Sequence, residues 1–455
     1  MSRTAFAILL FTSVTFGAMA QPRVWTLSEC ISHAIENNID IRHQALRADY
    51  YENLLIMSRM SRLPTLEGRA SHNYSFGRVL DETTYEFIEQ QTVRSNRFHA
   101  GSSLTLYGGM QISNNIVRSG HQLTASRYDL KQIKESIVLS VTMAYLEIVL
   151  TRELIAITGN QIEMTAQQVE RASRLVDAGT LAHGALLEIE AQAAAEQLHL
   201  TNLKSRLDLS ILTLTQMMEL DSPDGFEIAP PEGRSMPPPS ETGGFDDLYH
   251  TALATQPSIL AAEARVNIAG SDLKIARGAR HPSLTLRTAF STGYSDARLM
   301  PLGTDPITGP QYGEYPFADQ LSDNINYGLG FTLSLPVLNG WRTRTEINNR
   351  QIMLQSSEYE LEAARKELYK ELQQVSAAAR AALNRYNAGL KAVEAAQKAL
   401  HYAEERLGVG AVTMLDYNRS KTELLKRESE LLQARYEYIF KTKVLDHYRG
   451  IPIEL

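Results

Sequence analysis

Arg62-Leu63-Pro64-Thr65-Leu66-Glu67-Gly68-Arg69-Ala70-Ser71-His72-Asn73-Tyr74-Ser75-Phe76 switches from one periodicity to another at a single proline. Upstream, from Leu27 to Arg62, apolar residues recur at helical spacing. Pro64 stops that helix and pushes Leu63 into an extended backbone. Downstream, Leu66, Gly68, Ala70, His72, Tyr74 and Phe76 fall on one face of a strand, and Thr65, Glu67, Arg69, Ser71, Asn73 and Ser75 on the other. The passage occurs twice. Residues 27–77 align with residues 245–295 without a gap: Arg280-His281-Pro282-Ser283-Leu284 answers Arg62–Leu66, and Ala34, Ile41 and Arg69 meet Ala252, Ile259 and Arg287. Neither copy has enough strand to form a sheet alone.

In the second copy Leu284, Leu286, Phe290 and Tyr294 oppose Ser283, Thr285, Arg287 and Ser291. A return strand follows each first strand. Phe98, Ala100, Leu104 and Leu106 alternate with polar or small residues, as do Tyr327, Leu329, Phe331, Leu333 and Leu335. The spacing predicts strands near 64–77, 97–108, 282–295 and 326–338, joined by polar loops near 78–96 and 296–325. Such strands have the length and dyad pattern of outer-membrane strands, and Tyr74, Phe76, Phe98, Tyr107, Tyr294 and Tyr327 suit an interfacial girdle.

A very long helical stretch follows each strand pair. The first helix is expected over 111–177, with a break at Ala178-Gly179-Thr180 and a second helix over 185–220. Leu186, Ala193, Leu200, Leu207 and Leu214 keep a seven-residue step there, with Ile189 and Leu203 beside them. The second copy predicts helices over 342–407 and 414–448, with Leu424, Leu431, Tyr438 and Leu445 on the same step. At 1.5 Å per residue the longer helices reach roughly 100 Å, and the shorter ones stacked end to end match them. The organisation is therefore a first repeat at 21–220, a proline-rich linker at 221–244 lying as an equatorial belt, a second repeat at 245–448 and a tail at 449–455.

The first residues, MSRTAFAILLFTSVTFGAMA, read as a signal peptide over 1–20 cut before Gln21. No later segment is apolar enough for a transmembrane helix, so residence in a membrane has to come from strands. Cys30 has no partner for an internal disulfide, and a net charge of −7 gives no reason to expect nucleic acid. No zinc-type Cys/His spacing, HExxH, P-loop or G-x-S-x-G pattern occurs, and the eleven histidines are scattered. The sequence implies no enzyme, no cofactor and no metal site.

Four strands per chain cannot close a membrane barrel, which needs at least eight. Open edges in lipid leave backbone groups unpaired, so the chain must assemble with copies of itself. An eight-stranded barrel is filled by its own side chains, whereas the polar strand faces call for a wet interior, and a twelve-stranded trimer supplies one. The fold class expected is an α+β membrane protein: a trimeric β-barrel continued by a coiled-coil helical cylinder.

The chain resembles the TolC-like outer-membrane efflux proteins over essentially all of its mature length. The resemblance rests on the duplication, the Leu63-Pro64 and His281-Pro282 strand starts and the two helix breaks. It rests also on Leu104-Thr105-Leu106-Tyr107-Gly108-Gly109 and its counterpart Leu333–Gly340. It implies a homotrimer in outer-membrane lipid with an α-helical periplasmic tunnel, docking to a periplasmic adaptor and a proton- or ATP-driven inner-membrane pump. Gly179, Thr180 and Leu181, with Gly410, Ala411 and Val412, take the place of the adaptor-docking tunnel tip. Asp416 takes the first place of the acidic ring at the channel constriction, which would attract cations. At the next place this chain has Arg419, which either weakens a doubled ring or pairs with Asp416 to tie the helices shut. Arg69 and Arg287 alternate onto the polar strand faces, and two roles stay open for them: guanidinium groups in the barrel lumen, or interstrand pairs. The expected function is a passive exit duct for efflux. Type I-like protein or peptide secretion and, in a different class, a soluble periplasmic coiled-coil spacer are the alternatives.

Overall fold

The computed structural model describes residues 24–80, 87–230, 244–307 and 309–453. The expected signal peptide lies outside the described residues, as does most of the linker. In chain order the first copy consists of β1 (Val24–Trp25), α1 (Leu27–Asn37), α2 (Ile39–Met60), β2 (Thr65–Leu80), β3 (Phe87–Gly108), α3 (Gln111–Asp177) and α4 (His183–Met217), followed by β4 (Glu227–Ile228). The second consists of α5 (Phe245–Thr255), α6 (Pro257–Gly278), β5 (Ser283–Ser295), β6 (Leu299–Asp305), β7 (Gly309–Glu314), α7 (Phe317–Asp323), β8 (Asn326–Ser334), α8 (Arg342–Gly408) and α9 (Met414–Tyr448).

The duplication reaches further than the aligned residues. α1 and α5 both have 11 residues, α2 and α6 both 22. α3 and α8 both have 67, α4 and α9 both 35. Helix length thus keeps the repeat through stretches whose residues no longer display it.

The first helix of each copy, read from the sequence as continuous to Arg62, is broken in two. At Asn38 the side-chain Oδ1 accepts from the amides of Asp40 at 3.0 Å and Ile41 at 3.3 Å, and so acts as an N-cap for α2. The copy breaks at Gln256, where Pro257 stands at the first helical position. Proline is tolerated there because that N–H has no helical partner anyway. Pro257 was the sequence signal for the break, and apolar periodicity continued across it.

The chain divides into two compact units, Met1–His43, Gln132–Thr255 and Leu368–Leu455 forming one, Gln44–Lys131 and Gln256–Glu367 the other. The second holds a four-stranded sheet in the order β2-β3-β5-β8, antiparallel throughout. Its strands differ from the sequence expectation at their far ends. β2 runs to Leu80 and β3 starts at Phe87, so this hairpin occupies most of the predicted loop 78–96. The predicted loop 296–325 contains the β6–β7 hairpin and α7. Gln320 of α7 is fully buried. It donates to the carbonyls of Ser295 at 2.9 Å and Tyr315 at 3.0 Å and accepts from the Ser295 amide at 3.0 Å, which secures α7 to the end of β5. β8 stops at Ser334 rather than near 338, and Pro336 just beyond it has no N–H to give a ladder. Where β3 and α6 end, their backbones almost touch. A Cβ on Gly278 would lie 2.5 Å from the Gly109 carbonyl oxygen, a distance only a glycine avoids.

The first unit is centred on a cluster of Trp25, Cys30, Val141, Tyr145, Ile148, Leu214, Met218 and Phe226. Beside it β1 and β4 pair in parallel. The Tyr145 hydroxyl donates to the Ala229 carbonyl at 2.6 Å, and Arg152 donates to that of Ile228 at 3.0 Å. Burial raises the Tyr145 phenol to about 12, so it remains a donor at any physiological pH. Tyr145→Phe should leave the Ala229 carbonyl without its donor at a cost of about 1 kcal/mol. The expected readout is amide exchange at Ile228 and Ala229 about fivefold faster than in the parent, with exchange in the sheet unchanged.

Candidate functional site

Register fixes which side chains share a face of the sheet. Counting from the helix end, the first row is Thr65, Ser103, Arg287 and Gly330. The second is Glu67, Gly101, Ala289 and Gly328, and the third Arg69, His99, Ser291 and Asn326. Ser71, Arg97 and Gly293 follow, then Asn73, Ser95 and Ser295. This face is polar or small throughout. The opposite face carries Leu66, Tyr74, Phe76, Phe98, Leu104, Leu286, Phe290, Leu329, Phe331 and Leu333. Leu66, Phe76, Tyr327 and Leu329 leave at least two thirds of their surface uncovered within the chain. A sheet with one apolar and one polar face, apolar side unburied by its own protein, is built for lipid on one side and water on the other.

Arg69 and Arg287 lie on the polar face as the alternation predicts. Among the described residues neither is held in an ion pair or hydrogen bond, so the intrachain pairing considered for them is not made. Arg97 and His99, inside the strand expected at 97–108, share that face; which β2 residues they meet is set by a register that the alternation leaves open.

The two tip turns are built alike. Gly179 has φ +69° and Gly410 φ +74°. Gly179 and Thr180 donate back to the carbonyls of Val176 and Leu175, both at 2.9 Å. Gly410 and Ala411 donate to Leu407 at 3.0 Å and Arg406 at 2.8 Å. Each is a Schellman turn with glycine in the left-handed position. Gly179, Thr180, Gly410 and Ala411 are exposed, while Leu181 and Val412 are half-buried. Leu181 and Met414 pack against Ala172, Leu186 and Ile189, which brings the start of α9 onto the first turn.

The turns differ in what starts the next helix. Ala182 gives α4 no side-chain cap. α9 begins with a capping box in which the Asp416 amide donates to the Thr413 hydroxyl at 3.2 Å. In return the Asp416 carboxylate accepts from that hydroxyl at 2.7 Å and from the Thr413 amide at 3.2 Å. These bonds hold the Asp416 carboxyl below the usual carboxylate range, with Arg419 and Arg406 adding a weaker pull through their charge. Asp416 is therefore ionised at neutral pH. Its contribution to the cap is complete above the ordinary carboxylate pKa and is lost only as pH falls through the depressed one. No ion pair joins it to Arg419 among the described residues, and Asp416 spends its hydrogen-bonding oxygen on Thr413.

A third feature was missed in the sequence. Glu196 occupies the step between Ile189 and Leu203, where the α4 seam asks for an apolar residue. It is 4% exposed, and Lys421 of α9 is 2% exposed. Thr165 of α3 connects them: Lys421 Nζ donates to its hydroxyl at 2.8 Å, and that hydroxyl donates to Glu196 Oε2 at 2.5 Å. Gln192 and Gln161 complete the carboxylate, donating to Oε1 at 3.0 and 3.3 Å. Burial lowers the Lys421 pKa, and the Glu196 charge opposes that shift. The seven-residue count itself exposes the anomaly, since a carboxylate stands where Ile189 and Leu203 set an apolar pattern.

Removing one buried charge strands the other, whereas removing both does not. Lys421→Met should cost about 3–5 kcal/mol, and Lys421→Met with Glu196→Leu should recover most of it. Urea unfolding of the detergent-purified protein measures both. Additive losses would show that the two charges do not act as a unit.

Among the described residues no group of His, Cys, Asp and Glu is placed to hold a metal ion, and no helix is long and apolar enough to cross a membrane. The family model described as outer membrane efflux protein matches residues 30–218 and 248–445, one stretch in each copy. The chain is 23% identical over 447 residues to outer membrane efflux protein BepC of Brucella suis biovar 1, covering 98% of this chain and 89% of BepC. Its fold is similar to that of CusC, with a TM-score of 0.78 at 16% identity over 94% of this chain and 92% of the CusC chain. It is similar also to the outer membrane protein VceC of Vibrio cholerae, with a TM-score of 0.77 at 17% identity over 94% and 97% of the two chains. The two-faced sheet, the paired long helices and these matches agree: the chain belongs to the outer membrane efflux protein family, with a TolC-like fold in the bacterial outer membrane.

Proposed function

We propose that the protein is the outer-membrane exit duct of a tripartite export system: a homotrimer whose three sheets close one barrel and whose helices form a periplasmic conduit. The observation that carries this reading is the open sheet. β2 pairs only with β3 and β8 only with β5 among the described residues, so both outer edges carry unpaired backbone groups next to an apolar face. In lipid each such group costs several kcal/mol, and a neighbouring chain's edge removes the cost. Three copies give twelve strands, enough for a water-filled interior. A soluble spacer would leave the same apolar face in water.

The paired Schellman turns are the surface offered to a periplasmic adaptor, because their exposed backbone and small residues admit close approach of another helix end. An inner-membrane pump supplies the energy, and efflux of small molecules fits the family. Asp416 is the candidate constriction charge, with Arg419 one turn on.

Three measurements test the reading. Outer-membrane fractions should contain a heat-modifiable trimer; a soluble monomer would favour the spacer. Cysteines placed at Gly179 and Ala411 should crosslink in cells to an adaptor that co-purifies with its pump, and cysteines on the polar sheet face should not. In planar bilayers Asp416→Ala should raise conductance or shift ion selectivity, while Thr413→Val, which keeps the carboxylate, should leave selectivity unchanged. Equal effects of the two substitutions would assign Asp416 to the helix cap alone.

A further inference from the structure

The polar face of the sheet is not neutral. Over the five rows from Thr65 to Asn73, the charged residues of β2, β3 and β5 are Arg69, Arg97, Arg287 and Glu67. His99 stands directly across from Arg69. The remaining positions are serine, threonine, asparagine, glycine and alanine. Arg94, next along β3, belongs to the other face and is neutralised by Asp296 at 2.8 Å. Arginine is charged at every relevant pH, so this excess does not titrate away.

We propose that this face is an anion-selecting filter in the lumen, and that the cargo class is anionic: small molecules or peptides bearing carboxylate, phosphate or sulfate groups. The inference rests on the duct reading, which places this face in the lumen and not in lipid. Three observations carry it. The arginines lie on three levels of the wall, with Arg287 lowest, Arg69 two rows above it and Arg97 one row higher, and Glu67 is the one carboxylate among them, on the row between Arg287 and Arg69. Rows on one face are about 7 Å apart, comparable with the Debye length of about 8 Å at physiological salt, so an anion at the Arg69 level is already within the field of Arg97, while Arg287, about 14 Å below, acts as a separate first level. Arg69, Arg97 and Arg287 are exposed, and Arg69 and Arg287 are unpaired among the described residues, which leaves the guanidinium groups of those two open to a passing ligand. Finally, apart from Glu67 and His99 the positions on this face beside them carry short side chains. A guanidinium binds carboxylate and phosphate in a bidentate fork, and successive sites at similar affinity allow transfer along the wall without trapping.

The levels surround one axis in the trimer, so each substitution acts as a ring. The test is the chloride-to-potassium permeability ratio, from reversal potentials of the purified trimer in planar bilayers under a KCl gradient. The parent ratio reflects this face in series with Asp416, so the reading is the change from parent to variant. Replacing Arg69, Arg97 and Arg287 together by Gln should lower the ratio about threefold or more, single Arg69→Gln and Arg287→Gln should lower it partially, and Glu67→Gln should raise it. If the triple variant fails to assemble, the two single variants and Glu67→Gln decide the question. The filter is overturned if trimers of the variants keep the parent ratio. Trimers that conduct no ions in any variant would overturn the duct itself.

Discussion

An open β-sheet edge cannot face hydrocarbon, and the rest of this protein is arranged around that fact. β2 offers 16 residues and β8 offers 9, and each outer edge leaves about every second backbone group without a partner among the described residues. Even a few orphan groups at several kcal/mol each rival the whole stability of a domain, about 5–15 kcal/mol. The apolar face makes the edges worse, since it draws the sheet towards lipid. Neither copy contains the remedy. The repeat doubles two strands to four, and the proposed assembly would supply the others.

The duplication has not produced two equivalent halves. Equal helix lengths keep the copies in step, while the residues at corresponding points have diverged. The break after the first helix uses an asparagine side chain in one copy and a proline in the other. The tip turns share the Schellman geometry, yet only the second is followed by a capping box, so the carboxylate most exposed to a constriction reading is also a structural bond. The buried Glu196–Thr165–Lys421 chain joins helices from both copies. Buried opposite charges bridged by a hydroxyl are weak evidence for stability and better evidence for specificity, because a shift of register along the coiled coil would separate the charges and leave each buried alone.

Charge is distributed with the same economy. The chain is acidic overall, at −7, while the polar face of the sheet is basic. Net charge therefore misrepresents this face.

The amino-acid sequence determined what depends on local order. The duplication, the switch of period at Pro64 and Pro282, the alternating faces that hold Arg69 and Arg287, the long helices and the glycines of both tip turns are all properties of neighbours along the chain. Their physics acts over a few residues, so they can be read there. The helix break at Asn38, the extension of β3 to Phe87, the α7 cap held by Gln320 and the gathering of Arg97 and His99 with Arg69 needed the tertiary structure. Each depends on a partner distant in sequence or on a strand register that periodicity leaves undetermined. Asp416 is the converse case, since its bonds to Thr413 span only three residues; Glu196 intrudes countably in the seam, although Lys421, more than two hundred residues away, is what makes it tolerable.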